Sequence, residues 1–591
     1  MLLLAILFGV SRIAKDVFDE YNPKKSVYKS TTIMDVQGEF HTSTYENKFV
    51  QIRGVVTKMT DRAGWRGFFI QMEPEQAYDR GVKSTGIFVK NDKFSVTVGD
   101  VVIVKGNVFE MYVKSFFENE PEGLTMTSMT AHDVSIDGHR ELTKEFAIEA
   151  FSNQMPKEVV YAPNPFLQSP LSIGKLNIER GMDYWESLEG MYVKLSQPVV
   201  SQAVKYDAMY VYGKLQASNV NSKGGLTVVQ DRNGIVDFQP ESLAIFMKEI
   251  RRQTVKFLNV GDELEDIYGV VIYEKGAYGL YVDSEIRVKE KKKKTVNVAP
   301  KTANLRIASY NVLNLQVESK HRDKIASQIV NELKLPSIVG LIEIVDDYQG
   351  SGSSDEILTY LCESINAEND IKYAFTYIKT TNGSDGGKPG NNIKQAILYD
   401  LNIFKQIKSS NSAYSTCNES FSINPCRIEP ENEFFEDSRK PLAAKLTFLS
   451  SGDSIVVILN HFKSLIGSSP LYGRVQPPTI GSYDKRLGQA KVVANFISKL
   501  TTKVVCMGDL NDLENSDTYK VFSSFLHDTH HVLSPVERFS YIHNGISQKI
   551  DYIFANDALI QEFVASDIIH ANSVFQQQTS DHDILYADFK M

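Results

Sequence analysis

The chain reads as a multidomain protein, with an all-β first half followed by an α/β second half. Three observations predict this. Short apolar runs punctuated by Gly and Asp fill the region before about residue 288. Longer apolar runs after residue 304 end in Asn, Asp, Glu or His and have helical stretches between them. Between the halves lies Arg287-Val-Lys-Glu-Lys-Lys-Lys-Lys294, and residues 289–303 read as an exposed basic linker. With 591 residues, 42% of them apolar, there is material for two to four domains with their own cores.

Taken in order, Leu2–Val10 is an apolar run too short to span a bilayer. It fits the core of an export signal, and residues 1–22 are expected to be a signal or anchor segment, although a basic start and a clear cleavage site are missing. No other segment is a membrane-span candidate, so no stable membrane partner is expected. Phe49–Thr57, Gly67–Gln71, Gly86–Lys90 and Gly99–Gly106 form a strand series, assigned to a β domain over 30–150. A weaker second copy occupies 160–288: Glu189–Leu195 parallels Phe49–Val56, and Val260-Gly-Asp-Glu-Leu parallels the entry to the Gly99-Asp100 strand. Most aromatics of the first series belong to its core by alternation, while Trp65 and Arg66 are expected in an exposed loop, near Arg62.

The second half, 304–591, carries the chemistry. Val505-Cys-Met-Gly-Asp-Leu-Asn-Asp512 is a strand that ends by presenting Asp509 and Asn511. Arg306–Asn311 ends in Asn311, Ser337–Glu343 in Glu343, and Ser454–His461 in Asn460 and His461, with Lys463 beyond. Asp551 lies in the strand Lys549–Phe554, and Thr579-Ser-Asp-His-Asp583 supplies Asp581 and His582. Taken singly, each could be a solvated strand end; five such clusters are a poor match to chance.

At these residues the chain resembles the endonuclease/exonuclease/phosphatase superfamily, which includes pancreatic-type deoxyribonucleases and abasic-site endonucleases. The order Asn311, Glu343, His461, Asp509/Asn511, Asp551, Ser580-Asp581-His582 carries the resemblance, over about 304–591. Phe435–Ala444 resembles the family's arginine-proline segment, and Arg486 with Gln489-Ala490 resembles a motif of its bacterial extracellular members. The resemblance implies a four-layered, two-sheet α/β sandwich of the deoxyribonuclease-like type. It also implies that the two upstream β domains are oligonucleotide/oligosaccharide-binding (OB-fold-like) barrels.

The implied activity is secreted or periplasmic, metal-dependent hydrolysis of phosphodiesters, in DNA first and RNA second, with little sequence preference. Glu343 is the expected metal ligand, with Asn311 and Asp581 as secondary ones. Oxygen donors suit magnesium foremost, then manganese or calcium. His461, Asp509, Asn511, Asp551 and His582 form the implied catalytic set, Asp551 fixing the tautomer of His582. The sequence leaves open how His461, Asp509 and His582 divide acid and base roles. Arg439, Asn460 and Lys463 are implied phosphate contacts. The strand Ile393–Tyr399 offers Gln395 where related enzymes give the first histidine a carboxylate. Two other classes compete: a phosphatase or phosphodiesterase acting on inositol phosphates or sphingomyelin-like lipids, and a non-catalytic nucleic-acid-binding protein.

A net charge of −9 is unlike a chain that coats nucleic acid electrostatically. Of the four cysteines, Cys417 and Cys426 share a polar loop and suit a disulfide in an oxidising compartment, whereas Cys362 and Cys506 read as buried thiols. Oligomeric state is open.

Overall fold

The computed structural model describes residues 27–591, apart from 62–64, 113–122, 143–145, 158, 162–174, 231–235, 248–256, 284, 297–299, 348–353, 382, 389–390, 409–411 and 413–414. The export segment expected at 1–22, and Arg62, lie outside the described residues. The chain divides into two compact units. One comprises Met1–Ser196, Asp266–Glu285 and Pro470–Pro477; the other comprises Gln197–Glu265, Ile286–Ser469 and Pro478–Met591. Among the described residues, no helix is long and apolar enough to cross a membrane.

The first unit is built on β1 (Phe49–Thr60), β2 (Gly67–Gln71), β3 (Gly86–Lys90), β4 (Asp100–Met111) and β5 (Met126–His139). β1 pairs antiparallel with β2, β2 with β3, and β4 with β5. β3 runs parallel to β5, and β4 returns to β1, so the sheet closes on itself. Closure leaves Val50, Ile52, Phe68, Ile70, Val102 and Val104 as a buried core. Trp65 departs from the sequence expectation: only 6% exposed, its ring lies 6.0 Å from that of Phe88, so it is core rather than loop surface.

The Gly-Asp pair ahead of β4 works as a turn. Gly99 sits at φ 94°, and Asp100 accepts from the Thr97 N–H at 2.7 Å. In the second unit, Gly261 sits at φ 83° and Asp262 accepts from the Asn259 N–H at 2.9 Å. The two Gly-Asp turns recognised in the sequence are therefore built alike.

The second unit opens with the hairpin β6 (Pro198–Lys205) and β7 (Ala208–Gly213). Its sandwich strands are β8 (Leu305–Leu315), β9 (Ile338–Asp347), β10 (Tyr373–Tyr377), β11 (Asn391–Asp400), β12 (Leu442–Phe448), β13 (Ser454–His461) and β14 (Lys503–Asp509). A small hairpin follows, β15 (Tyr541–His543) and β16 (Ile546–Gln548), then β17 (Asp551–Ala555), β18 (Phe563–Ile569) and β19 (Ile584–Phe589). One sheet has the order β10-β11-β9-β8-β19-β18; the other is centred on β12-β13-β14-β17. Two parallel pairs, β8/β9 and β13/β14, are joined by crossovers containing α1 (Arg322–Asn331) and α2 (Tyr483–Ile497).

Alternation along the strands builds the layers. Ile307, Ile338, Leu459, Val505, Met507 and Ile553 meet between the sheets. Ala308, Val339 and Leu341 face outward into a core with α1, and Val456, Ile458 and Cys506 into one with α2. The result is the expected helix–sheet–sheet–helix sandwich.

Candidate active site

The same alternation delivers the polar residues. In β13, Ile455, Val457 and Leu459 point between the sheets, and His461 continues that row. Asp509 continues the row of Val505 and Met507 in β14, Asn311 that of Leu305 and Ile307 in β8, and Asp551 begins that of Ile553 and Ala555 in β17. Glu343 breaks the pattern. Strict alternation after Val339 and Leu341 would turn it outward. Instead β9 carries a register irregularity against both neighbours, Glu343 adopts φ 66°, and Ile344 takes the outward place. The bulge brings the carboxylate inward, at the cost of a left-handed backbone at a non-glycine residue.

These side chains meet. Asn311 Nδ2 donates to Glu343 Oε1 at 3.1 Å and to Asp509 Oδ2 at 3.3 Å. His461 Nε2 lies 3.7 Å from Glu343 Oε1 and 3.8 Å from Asp509 Oδ2. His582 Nδ1 is 2.7 Å from Asp551 Oδ2, and its Nε2 is 3.9 Å from Asp509 Oδ2. The Asn511 N–H donates to Asp509 Oδ1 at 2.7 Å, which fixes the carboxylate's plane. The Asn511 amide donates to Phe462 O at 3.1 Å, closing the turn after β14.

Protonation is skewed by this burial. Asp509 is pushed up to about 7, first by desolvation and then by the charge of Asp551. Burial opposes charge on His582, but Asp551, Asp509 and Asp581 together hold its pKa well above the ordinary histidine value. His461 goes the other way: burial, Arg439 and His582 depress it well below that value. Among the described residues, no carboxylate stands within hydrogen-bonding distance of His461, in keeping with Gln395 in place of an acid.

The remaining expected residues divide. Arg439 is 7% exposed, donates through Nη2 to Phe462 O, and its buried Nε has no hydrogen-bond partner among the described residues. Burial works against its charge, while Asp509 and Glu343 help hold it. Lys463 stands further out, its Nζ 3.4 Å from Asp437 O. Asn460 requires a correction. Being next to His461 on a strand, it faces the opposite side, where its amide bonds Cys506 Sγ and Met507 O at 3.2 Å each. It holds two strands together and is not a phosphate contact. Asn311 turns its amide N–H groups toward the carboxylates of Glu343 and Asp509, and its oxygen accepts from the Leu313 N–H at 3.1 Å. Asp581 is ion-paired with Lys205 at 3.2 Å. Cys417 and Cys426 form a disulfide, and Cys362 and Cys506 are buried free thiols.

Sequence reasoning missed three contributors. Ser540 donates to Asp551 Oδ2 at 2.7 Å, completing the support of the Asp551–His582 pair. Tyr541 places its ring 4.9 Å from that of His582. Lys205 comes from β6, far upstream of any recognised motif. No spacing rule could have linked it to Asp581, since the link is tertiary. The helix residues Arg486 and Gln489 position rather than contact. Arg486 bonds Asp512 at 3.2 Å, and Gln489 ties Ser438 at 2.9 Å to the Lys463 N–H at 3.1 Å.

A divalent cation suits this donor set. Glu343, Asp509 and Asp551 concentrate carboxylates, Glu343 half-buried and the other two buried, that Arg439 and His582 only partly offset. Asp509, Asp551 and His582 also present ligand atoms within 4.8 Å of one another. Asp551 Oδ2 is already engaged by His582 and Ser540, and Asp509 Oδ1 by the Asn511 N–H, so Glu343 is the carboxylate best placed to hold such an ion.

Residues 308–582 match a family model described as the Endonuclease/Exonuclease/phosphatase family. Residues 151–293 match one described as a domain of unknown function, DUF8508. No curated protein matches the chain. Among solved structures, humanized TDP2 of D. rerio is 20% identical over 49% of this chain and 99% of that one, with a TM-score of 0.33. The mannosyl-6-phosphatase Bt3783 of Bacteroides thetaiotaomicron is 14% identical over 49% and 100%, with a TM-score of 0.32. The human Nocturnin catalytic domain is 18% identical over 48% and 94%, with a TM-score of 0.31.

Proposed function

Through residues 308–582 the chain belongs to the endonuclease/exonuclease/phosphatase family, and we propose that it is an exported, metal-dependent hydrolase of phosphodiester bonds in nucleic acid, DNA before RNA. The observation that carries this reading is the convergence of Asn311, Glu343, His461 and Asp509 with the hydrogen-bonded Asp551–His582 pair in one site.

A phosphodiester is anionic, and a cation held at Glu343, magnesium by preference, would offset that charge and that of the departing oxygen. The chain's own groups do the rest. Asp509, its Oδ1 tied by Asn511, turns Oδ2 toward the site and takes the proton of the attacking water. His582, charged at neutral pH, donates from Nε2 to a non-bridging phosphate oxygen as negative charge builds there. His461 stays neutral and serves as a hydrogen-bonding contact rather than a proton source. Arg439 offers its unpaired Nε to the phosphate. On this reading Asp509, His582 and His461 take different roles because their surroundings differ.

Two further features support the reading. The closed five-stranded barrel of the first unit, with its one parallel pair, fits an OB-like module, a fold suited to single strands. The Cys417–Cys426 disulfide fits an oxidising compartment.

The test is cleavage of closed-circular plasmid with magnesium, manganese or calcium, with Asp509→Ala and His582→Ala beside the parent. Nicking by the parent alone, abolished by a chelator, supports the reading. A folded parent that leaves plasmid and RNA intact but releases phosphate from a sugar or inositol phosphate overturns it in favour of a phosphatase.

A further inference from the structure

β6 and β7 are joined by a two-residue turn, Tyr206-Asp207, with φ 52° and 61°. Two left-handed central residues define the tight turn that matches strand twist, so the tip is rigid rather than a loose loop. The hairpin is fastened to the catalytic fold. Gln576, in the segment leading to Asp581, accepts from the Val204 N–H at 3.1 Å and donates to Val204 O at 3.0 Å. Gln202 accepts from the Gly545 N–H at 2.7 Å, in the turn between β15 and β16.

This anchoring sets Lys205 at the edge of the site. Its Nζ is 3.2 Å from Asp581 Oδ2, 5.4 Å from the centre of the Tyr541 ring and 5.5 Å from that of Tyr206. Tyr541 in turn lies against His582 on one side, and its ring is near-parallel to that of His543, 6.2 Å away at 13°. Burial first, then the charge of Asp581 and the nearby Tyr206, Asp509 and Glu343, pushes the Tyr541 phenol up, so its hydroxyl stays protonated. Tyr206 is 84% exposed, an unusual position for a large aromatic ring on a fixed turn. A cation beside aromatic faces, within reach of the reacting groups, matches what a nucleotide presents: a phosphate joined to a flat base.

We propose that the Lys205-Tyr206 tip is a substrate-binding element of the hydrolase, with Tyr206 stacking on an unpaired base and Lys205 contacting the phosphate next to the one cleaved. The inference rests on the nucleic-acid reading above and narrows it. The preferred substrate is a single-stranded or locally unpaired segment, because a base inside a duplex has no free face to stack. Lys205 has three N–H donors, so the bond to Asp581 orients the ammonium and leaves donors for phosphate. The tip also gives the region of the chain matching the domain of unknown function a direct part in substrate choice.

The test compares KM for a short oligothymidylate with KM for an abasic strand of the same length, using the full-length parent, Tyr206→Ala and Tyr206→Trp. Tyr206 is exposed, so neither change threatens folding. The expected result is a lower KM for oligothymidylate in the parent. Tyr206→Ala raises that KM by about tenfold, toward the abasic value, and Tyr206→Trp retains it. Lys205→Gln flattens the salt dependence of KM by about one phosphate's share. If the parent cleaves oligothymidylate and Tyr206→Ala is indistinguishable from it, the stacking role is overturned and the nucleic-acid reading stands. If the parent cleaves neither strand but hydrolyses small phosphomonoesters, both fall.

Discussion

Asp509 and His582 are both shifted upward from their ordinary values, and this has a measurable sign. With Asp509 raised to about 7, kcat/KM should climb with pH through neutrality, rather than near 4, as its proton is lost. His582 is needed charged, and Asp551 keeps it so. Asp551→Asn should therefore move the alkaline limb down toward the ordinary histidine range, lowering kcat/KM at pH 8 by up to about 30-fold; a pH–rate profile of parent and variant reads both limbs. Arg439→Lys should cost about 10- to 100-fold in kcat/KM, because one compact ammonium cannot place donors at both the Nε and the Nη2 positions that the planar guanidinium spans; steady-state kinetics on an oligonucleotide would show it. Much at this scale was legible, since residue type and strand position together bring Asn311, His461, Asp509, Asp551 and His582 into one site. Glu343 was legible by type only. Its inward turn depends on a bulge that no alternation pattern contains. Asn460 shows the opposite limit: next to a site residue in sequence, it lies on the wrong face of the pleat.

Elements hold these residues in register, and two positions show how. Arg306 on β8 forms a two-pronged pair with Asp588 on β19, Nε to Oδ1 and Nη2 to Oδ2 at 2.7 Å each, fully buried between directly paired residues. Burial pushes the Asp588 carboxyl up, but bonds from Arg306 and Thr302 more than offset this, and its pKa ends below the ordinary 3.8. A depressed carboxylate contributes stability that is complete above its unfolded pKa and is lost as pH falls through the folded one. Asp588→Asn should cost about 3–5 kcal/mol near neutrality by leaving the guanidinium unpaired. It should also flatten the fall in stability below pH ~4. Denaturant melts across the acid range would test both. Gly508, at φ 126° just before Asp509, faces the Asn460 carbonyl so closely that an added Cβ would run into it. Gly508→Ala should separate the ends of β13 and β14, lowering stability by about 1–3 kcal/mol and activity with it. Strand identity and the parallel crossover pairs were readable from apolar runs and intervening helices. Register was not, because it is set by contacts such as Arg306–Asp588, whose partners lie at opposite ends of the domain's sequence.

At the scale of the molecule, composition marks exposure better than it marks where packing ends. The Lys-rich run is conspicuous, yet Val288–Glu290 pairs with Glu263–Leu264, and the Lys292 N–H donates to Asp262 at 2.9 Å. The compact unit holding the active site reaches back to Gln197. Val260 packs with Phe539, Ile542 and Val574, and Leu226–Thr227 adds a parallel strand to β16. A chain starting at Leu305 would lose these partners, baring the apolar faces of Phe539 and Ile542 beside Tyr541 and freeing Asp581 from Lys205. Losing the buried Val260 side chain alone removes about 1.5–3 kcal/mol of apolar burial, before the strand pairing is counted. The expectation is therefore that residues 305–591 expressed alone melt well below the full chain and bind a hydrophobic dye. A chain starting at Gln197 should keep both its melting temperature and its plasmid cleavage more nearly intact. Equal melting temperatures for the two truncated proteins would show that the upstream segment rests on the catalytic fold without supporting it.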